Sequence, residues 1–301
     1  MESYFATIGF FDGVHRGHRD LINQLIEVAK KRKMKSAVVT FRQHPRKVLN
    51  QDYQPQLLTS CGEKEWLLET TCDMDEYFML DFTVELAALS AKDFMQFLRD
   101  KYNVKGLLIG YDHKFGHNRS EGFDDYVRYG KELGIEVLQA KPFKTQSGLT
   151  VSSSIIRQFV KEGKMREAAL NLGCGYLISG TVVHGHQIGR TIGFPTANIK
   201  LDEDDKLLPP DGVYGVRVLV DDGLHPGMMN IGKRPTMDNG DDRSIEVNLF
   251  YYKENLYGKL LRVWVIDRVR EEKKFDSMEK LVAQLEEDKG KIVQMFNESD
   301  N

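Results

Sequence analysis

The stretch Tyr4-Phe5-Ala6-Thr7-Ile8-Gly9-Phe10-Phe11-Asp12-Gly13-Val14-His15-Arg16-Gly17-His18 decides the fold of the first half of the chain. Tyr4 to Phe10 is short, apolar and β-prone, and it runs into a glycine-punctuated loop. Beyond the loop, Arg19 to Lys33 carries Leu21, Ile22, Leu25, Ile26 and Ala29 at helical spacing, with Lys and Arg opposite. Lys35 to Phe41 reads as a second buried strand. Strand, helix and strand in that order form a β-α-β unit, whose two strands run parallel with a right-handed crossover.

The loop leaves a strand and enters a helix, where free backbone N–H groups and the positive helix end face an anion. Gly13 and Gly17 allow tight turns and close approach of backbone to a phosphate. His15 and His18 are three apart, so they share a face on the first turn. Two imidazoles aimed at one place suit the oxygens of a polyphosphate. A bare H-x-x-H pair also fits two surface polar residues, or a zinc pair, although no third ligand of matching spacing accompanies it. The strand–glycine loop–helix context favours phosphate. The string is neither a Walker A loop nor a dinucleotide G-x-G-x-x-G loop.

Further on, Val104 to Gly110 and Glu136 to Ala140 read as strands, and Phe123 to Leu133, Ser152 to Glu162 and Met165 to Leu172 as helices. The first half is therefore an α/β parallel-sheet domain. The character changes near Gly173 to Tyr176. Strands then dominate: Leu177 to His184, Val213 to Val220, His225 to Ile231, Ser244 to Tyr251 and Lys259 to Val269. Gly, Pro and Asp clusters separate them, which fits an antiparallel barrel or sandwich. A helix from roughly Ser277 to Phe296 closes the chain, with Asp276 and Glu279 at capping-box spacing. The expected domains are residues 1–172 and 173–301, in keeping with about two domains for 301 residues.

The formal net charge of −3 gives no sign of nucleic acid as a general partner. No apolar run reaches the roughly 18 residues of a membrane span, and no signal peptide is read, so the expectation is a cytoplasmic protein with no membrane partner. Cys61, Cys72 and Cys174 form no C-x-x-C pair, which argues against a disulfide framework and a structural zinc site. Nothing in the sequence indicates an oligomeric state.

The most informative string of the second half is Gly180-Thr181-Val182-Val183-His184-Gly185-His186-Gln187-Ile188-Gly189-Arg190-Thr191-Ile192-Gly193-Phe194-Pro195-Thr196-Ala197-Asn198. Its glycines give a loop that approaches a ligand closely. Thr196 and Asn198 alternate around Ala197, so an extended segment points both side-chain oxygens the same way. Such oxygens suit Mg²⁺, which keeps several waters and shares substrate phosphates. A glycine-rich barrel hairpin with no site is the plainer alternative, and His184-x-His186 fits surface histidines better than a metal pair.

Taken together, these segments resemble a known family. Gly9-x-Phe11-Asp12-Gly13 followed by His15-x-Gly17-His18 is similar to the HxGH nucleotidyltransferases, which join a nucleotide to a phosphorylated acceptor and release pyrophosphate. Thr40-Phe41-x-x-His44-Pro45, Gly110-Tyr111-Asp112-His113-Lys114-Phe115-Gly116-His117-Asn118-Arg119 and Ser152-Ser153-Ser154-x-Ile156-Arg157 resemble segments of bacterial FAD synthetases. The second string resembles the riboflavin kinase signature. Pro210-Asp211-Gly212-Val213-Tyr214, Asn230-Ile231-Gly232-x-Arg234-Pro235-Thr236, Ile245-Glu246-Val247 and Arg270-x-Glu272-x-x-Phe275 follow in the family's order. Phe10, His113 and Asn248 depart from the usual Asn, Phe and His.

The resemblance to bifunctional riboflavin kinase/FAD synthetases covers about residues 5 to 290. It implies a Rossmann-like nucleotidyltransferase domain followed by an antiparallel β-barrel kinase domain with a terminal helix. The implied activity is phosphorylation of riboflavin by ATP to FMN, then adenylylation of FMN by a second ATP to FAD. In the first half it implies that His15 and His18 are catalytic. Gly9, Phe11, Asp12, Gly13, Gly17, Asn118, Arg119, Ser152, Ser153 and Arg157 would hold ATP. In the second half it implies Glu246 as general base, with Gly180, Gly185, Gly189 and Arg190 around ATP phosphates. Phe194, Asn230 and Arg270 would meet the flavin, and Thr196 and Asn198 would hold Mg²⁺. The alternative is a flavin-binding sensor or carrier, or a kinase with a weak or silent adenylyltransferase half. The complete set of Thr196, Asn198 and Glu246 speaks against a mere binder.

Overall fold

The computed structural model describes residues 2–299 apart from 51, 53, 146, 147, 149, 186–188, 190, 191, 222 and 234–242. The chain divides into two compact units. One comprises residues 1–57 and 64–153; the other comprises 58–63 and 154–301.

In the first unit, β1 (Tyr4–Ile8) is the middle strand of a five-stranded sheet ordered β3-β2-β1-β4-β5, counted among the described residues. Its partners are β2 (Lys35–Phe41), β3 (Glu76–Leu80), β4 (Val104–Ile109) and β5 (Glu136–Gln139), and every pairing is parallel. The central strands are nearly continuous apolar runs because helices cover both faces of such a sheet. α1 (Arg16–Arg32) buries Ile22, Leu25 and Ala29 and ends in a run of basic residues, which suits the negative helix end. α5 (Ala91–Tyr102) buries Ala91, Phe94, Met95 and Leu98, and α6 (Phe123–Leu133) buries Tyr126 and Gly130. Ala91, Phe94, Met95, Leu98 and Tyr126 join Ala6, Ile8, Val39, Leu107 and Ile109 in one core.

Two differences from the sequence expectation have local causes. Helix α1 begins at Arg16 rather than Arg19, because His15 caps it: the backbone N–H of His18 donates to His15 Nδ1 at 3.3 Å. The segment between β2 and β4 also contains elements that the sequence reading passed over: β3, the short helices α2 (Pro45–Leu49) and α4 (Val84–Ala88), α3 (Cys61–Thr71) and α5. β3 lies at the sheet edge and buries only Leu80, so its apolar pattern is weak.

The second unit includes α7 (Ser153–Lys161, from Ser154 on) and α8 (Met165–Leu172) before the strands begin. β6 (Tyr176–Val183), β7 (Ala197–Leu201), β8 (Gly212–Val220), β9 (Gly223–Lys233), β10 (Arg243–Leu249) and β11 (Leu260–Glu271) close into a barrel ordered β10-β7-β6-β11-β8-β9. All its pairings are antiparallel, and closure leaves no free edge strand. The structure thus selects the barrel over the sandwich. β7 is the strand absent from the sequence list, although its Thr196–Asn198 approach was read as extended.

α9 (Met278–Ser299) lays Ile292 and Phe296 against Phe194, Val213, Met228 and Phe250. Its cap corrects the expectation of Asp276 with Glu279. Ser277 Oγ accepts the Lys280 N–H at 3.3 Å, and Asp276 instead takes the Lys280 ammonium at 3.2 Å. The segment 58–63 is tied down by a buried ion pair. Lys206 Nζ donates to Glu63 Oε2, Leu58 O and Leu177 O, each at 2.5–2.6 Å. With Glu63 also accepting from Ser179 N and Ser60 N, the pair is fully hydrogen-bonded, the condition under which a buried ion pair is tolerated.

Candidate functional sites

The first site sits where β1 ends, at the carboxyl edge of the parallel sheet, the usual ligand position in such folds. The loop backbone is forced into unusual shapes. Phe11, Gly13 and Val14 have φ of 56°, 85° and 38°. A β-branched residue at positive φ is strained, and such strain persists only where the surroundings over-determine it. Here they do. Val14 N donates to Phe11 O, Arg19 Nε donates to Val14 O, and Val14 is fully buried. Gly9 N donates to Val39 O, Thr40 Oγ1 to Phe10 O, and Ser153 Oγ to Asp12 O. Gly9 must lack a side chain, since a Cβ there would lie 2.8 Å from the Phe11 ring.

His15 and His18 stack face to face, ring centroids 3.5 Å apart and 14° from parallel. His15 is almost fully buried, and its Nδ1 is occupied as an acceptor, which leaves its proton on Nε2. His18 is half-buried, with Nδ1 closed off and without a hydrogen-bond partner among the described residues. Burial, then the positive potential of His15, His113 and Lys64, holds His18 well below the usual histidine range, so its ring is neutral at pH 7. Phe10, the departure from the family's Asn, has a place of its own. Its ring edge meets His44 at 4.8 Å, and the buried Lys64 ammonium lies 4.0 Å from its centroid.

Other expected residues of this half lie around the loop or apart from it. Gly17 would carry a Cβ within 3.3 Å of the His15 ring and 3.7 Å of Val151 O, so the residue before Ser152 borders the histidines. Arg119 closes a 3₁₀ turn (His117–Arg119) at φ 51°, its Nε donating to Lys114 O. The Asn118 side chain lies outside what is described. Arg157 stands on α7, within the second unit. Lys64 and His113 are the residues that the motif reading missed. Lys64 carried no local signal, whereas His113 was visible as a departure.

The second site is a row across three antiparallel strands. Glu246 of β10 pairs with Asn198 of β7 on one side and with Asn230 of β9 on the other. Paired residues point to the same face, so these three polar side chains stand together while Ile245 and Val247 are buried. Thr196 Oγ1 donates to Glu246 Oε2 at 3.0 Å. Thr196 and Glu246 are thus bonded, with Asn198 and Asn230 on either side of the same carboxylate.

The glycines around this row act differently from one another. A Cβ on Gly185 would sit 2.2 Å from Asn198 Nδ2, and one on Gly189 would sit 2.2 Å from Phe194 O and 3.4 Å from Thr196 Oγ1. These two lay the loop directly on the oxygen-bearing side chains. Gly180 lies inside β6, where a Cβ would meet Lys200 O at 2.4 Å; close strand packing explains it without a ligand. Arg190 lies outside the described residues. Phe194 is buried in the cluster under α9. Arg270 donates through Nε to the fully buried Asp288 at 2.8 Å, and Gln284 Nε2 donates to the other Asp288 oxygen. Asn248, the third departure, donates to Pro195 O and so holds the turn before Thr196.

Beside Thr196 opens a cavity of about 480 Å³ lined by Val182, Pro195, Ala197, Val247 and the run Tyr252 to Tyr257. The sequence reading missed that run, whose aromatic ends are its one visible signal. Among the described residues no group of three His, Cys, Asp or Glu is placed to hold a metal ion. The donors present are neutral oxygens beside one carboxylate. They fit a hard divalent ion that completes its shell with water and substrate phosphates, as Mg²⁺ does.

Comparison with known proteins follows the same division. A family model described as FAD synthetase matches residues 1–155, and one described as riboflavin kinase matches residues 172–296. An Escherichia coli (strain K12) protein named bifunctional riboflavin kinase/FMN adenylyltransferase is 38% identical over 291 residues, spanning 96% of this chain and 91% of that protein. A Bacillus subtilis (strain 168) protein of the same name is 34% identical over 297 residues, spanning 97% and 92%. A crystal structure from Streptococcus pneumoniae, described as a macrolide-efflux protein, superposes with a TM-score of 0.84 at 33% identity, over 96% of this chain and 94% of that one. No helix among the described residues of this chain is long and apolar enough to cross a membrane.

Proposed function

The chain belongs to the bifunctional riboflavin kinase/FMN adenylyltransferase family, and from that premise we propose that it makes FMN and then FAD with the two sites described above. The observation that carries the reading is the Asn198–Glu246–Asn230 row with Thr196 bonded to Glu246. It supplies a carboxylate and metal-suited oxygens in one place.

In the kinase half (residues 173–301), Glu246 takes the proton from the terminal ribityl hydroxyl as that oxygen attacks the γ-phosphorus of ATP. Thr196 and Asn198 would hold Mg²⁺, which supplies charge neutralisation on the ATP phosphates. Gly185 and Gly189 press the loop against those two side chains. The Tyr252–Tyr257 cavity has room for the base of the nucleotide, while Asn230, Arg270 and Phe194 enter as flavin contacts on the strength of their motifs. In-line phosphoryl transfer rests on positioning, so no protein nucleophile enters.

In the adenylyltransferase half (residues 1–172), a phosphate oxygen of FMN attacks the α-phosphorus of a second ATP and pyrophosphate leaves. His15 and His18 donate to the phosphate oxygens as charge builds in the transition state. The strained Phe11–Val14 backbone, Gly17, Ser152 and Ser153 frame the triphosphate. Arg157 and Arg119 enter on the strength of their motifs. ATP as substrate of both halves fits a cytoplasmic enzyme.

One incubation tests the whole reading. The protein with riboflavin, ATP and Mg²⁺ is expected to give FMN first and FAD after it, separated by chromatography. Flavin binding with neither product would replace the enzyme by a flavin carrier. FMN alone would leave a kinase with a silent second half.

A further inference from the structure

Two nitrogens in the first unit break the rule that buried polar atoms are hydrogen-bonded. Nδ1 of His18 and Nε2 of His113 are both buried, and neither has a partner among the described residues. Leaving such an atom unsatisfied costs about 1–3 kcal/mol, so two of them in one unit call for an explanation.

The two rings lie on neighbouring parts of the first unit. His113 follows the carboxyl end of β4, and its N–H closes a turn onto Gly110 O. A Cβ on Gly110 would touch His113 Cβ at 3.4 Å and Leu21 Cδ2 at 3.8 Å. Leu21 stands three residues after His18 on α1, on the same helix face. His113 is also close enough for its charge to bear on His18. The His113 ring stacks 6.3 Å from Phe115, which stacks in turn on Tyr126 at 4.2 Å. Tyr126 Oη is bonded to both N and O of Phe115, so the shelf beneath His113 is rigid.

We infer that His113 is a positioning residue for His18: its Nε2–H donates to a water that donates in turn to His18 Nδ1, and so keeps the His18 proton on Nε2. The inference rests on the reading of the His15–His18 loop as the adenylyl-transfer site. Both rings are neutral at pH 7, and a neutral imidazole has one donor and one acceptor. One water that accepts from His113 Nε2–H and donates to His18 Nδ1 therefore satisfies both orphaned atoms. The direction follows from the task. His18 must offer a donor to phosphate oxygens, so its remaining nitrogen must accept. His15 already obeys this rule, because its Nδ1 accepts from the His18 backbone. With His113 in place, both stacked rings present Nε2–H. A phenyl ring at position 113 would have nothing to donate.

The test uses the full chain with ¹⁵N-labelled histidine. At pH 7 the wild-type His18 ring is expected to show an unprotonated Nδ1 and a protonated Nε2, and His113→Phe to show a mixture of tautomers. In FMN adenylylation, His113→Phe is expected to lower kcat about tenfold with KM for ATP held within about twofold. His113→Gln, which restores an N–H donor, is expected to recover most of that kcat. FMN formation from riboflavin should be the same in all three proteins, and unaltered amide protection of β1 and β4 at pH 7 reports that the first unit of each variant folds. An unchanged His18 tautomer in His113→Phe, a wild-type kcat in that variant, or a protonated Nδ1 in the wild type would each overturn the inference. A wild type that makes no FAD would instead refute the adenylyltransferase reading, and the ring spectrum would still decide the His18–His113 link.

Discussion

On the proposed reading the two sites handle the same substrate, ATP, with opposite side-chain chemistry. The first has stacked imidazoles on a strained loop, and the second has a carboxylate in a cross-strand row. The attacking groups explain the contrast. A phosphate monoester such as FMN is already ionised at pH 7, so the site that activates it needs donors to absorb charge rather than a base. A ribityl hydroxyl holds its proton, so the other site needs a carboxylate within reach. Each unit builds what its nucleophile lacks.

The comparison breaks most sharply at His18. His18→Ala removes a donor from the transition state, and FAD formation from supplied FMN is expected to fall about 10²–10³-fold. FMN formation from riboflavin should continue unchanged in the same preparation. FAD produced at the wild-type rate would take His18 out of the mechanism. The mirror experiment is Glu246→Gln, which keeps the shape and the acceptor for Thr196 but removes the base. Riboflavin phosphorylation is expected to drop about 100-fold while flavin binding, followed by fluorescence, stays near normal. Adenylylation of supplied FMN should be untouched. Equal kinase turnover would remove Glu246 as the base.

How far each site was legible in the sequence follows from how it is built. The first site is local. Glycine loop, capping histidine and helix start are consecutive, so a short string sufficed to read an anion site between a strand and a helix. What escaped was what acts on the loop from elsewhere: Lys64 on α3 and His113 after β4, whose charges bear on His18 only in the folded chain. The second site is non-local. Glu246, Asn198 and Asn230 lie on three strands, and no periodicity could pair them. There strand alternation paired only Thr196 with Asn198; the long motif resemblance named the rest, and the register sets Asn198, Glu246 and Asn230 side by side. Edge strand β3 escaped because it buries one residue of five, and the Asp276 cap failed because the neighbouring Ser277 offers the hydroxyl that Lys280 N uses.

A smaller effect sharpens the role of the glycine loop. Gly185 faces Asn198 so closely that a methyl group would overlap the amide. Gly185→Ala should push Asn198 or the loop away and raise the Mg²⁺ concentration needed for half-maximal kinase activity by about 10-fold. The adenylyltransferase half, assayed with FMN, should not respond. A variant with wild-type metal dependence would show that Asn198 is not a metal-holding side chain.

The smallest effect lies in pH-dependent stability and separates the two units again. Burial, then the nearby Arg119 charge, lowers His113 to about 4, against an ordinary value of 6.5; Asp112 opposes the shift only partly. His18 is shifted in the same direction. As pH falls below about 6.5, the unfolded chain takes up protons that the folded chain refuses, so stability falls with falling pH. For His113 the loss runs from about pH 6.5 to about 4, then levels off as the folded ring also protonates. It is at most about 3 kcal/mol, and less for a ring that is half open to solvent. Amide hydrogen exchange localises it: protection of β1 and β4 should weaken between pH 6.5 and 4, after correction for intrinsic exchange rates. His113→Phe should flatten that dependence for β4 and leave the barrel strands β7 and β10 unaltered. If β4 in His113→Phe lost protection as steeply as the wild type, the buried neutral His113 would not be what makes this half acid-sensitive.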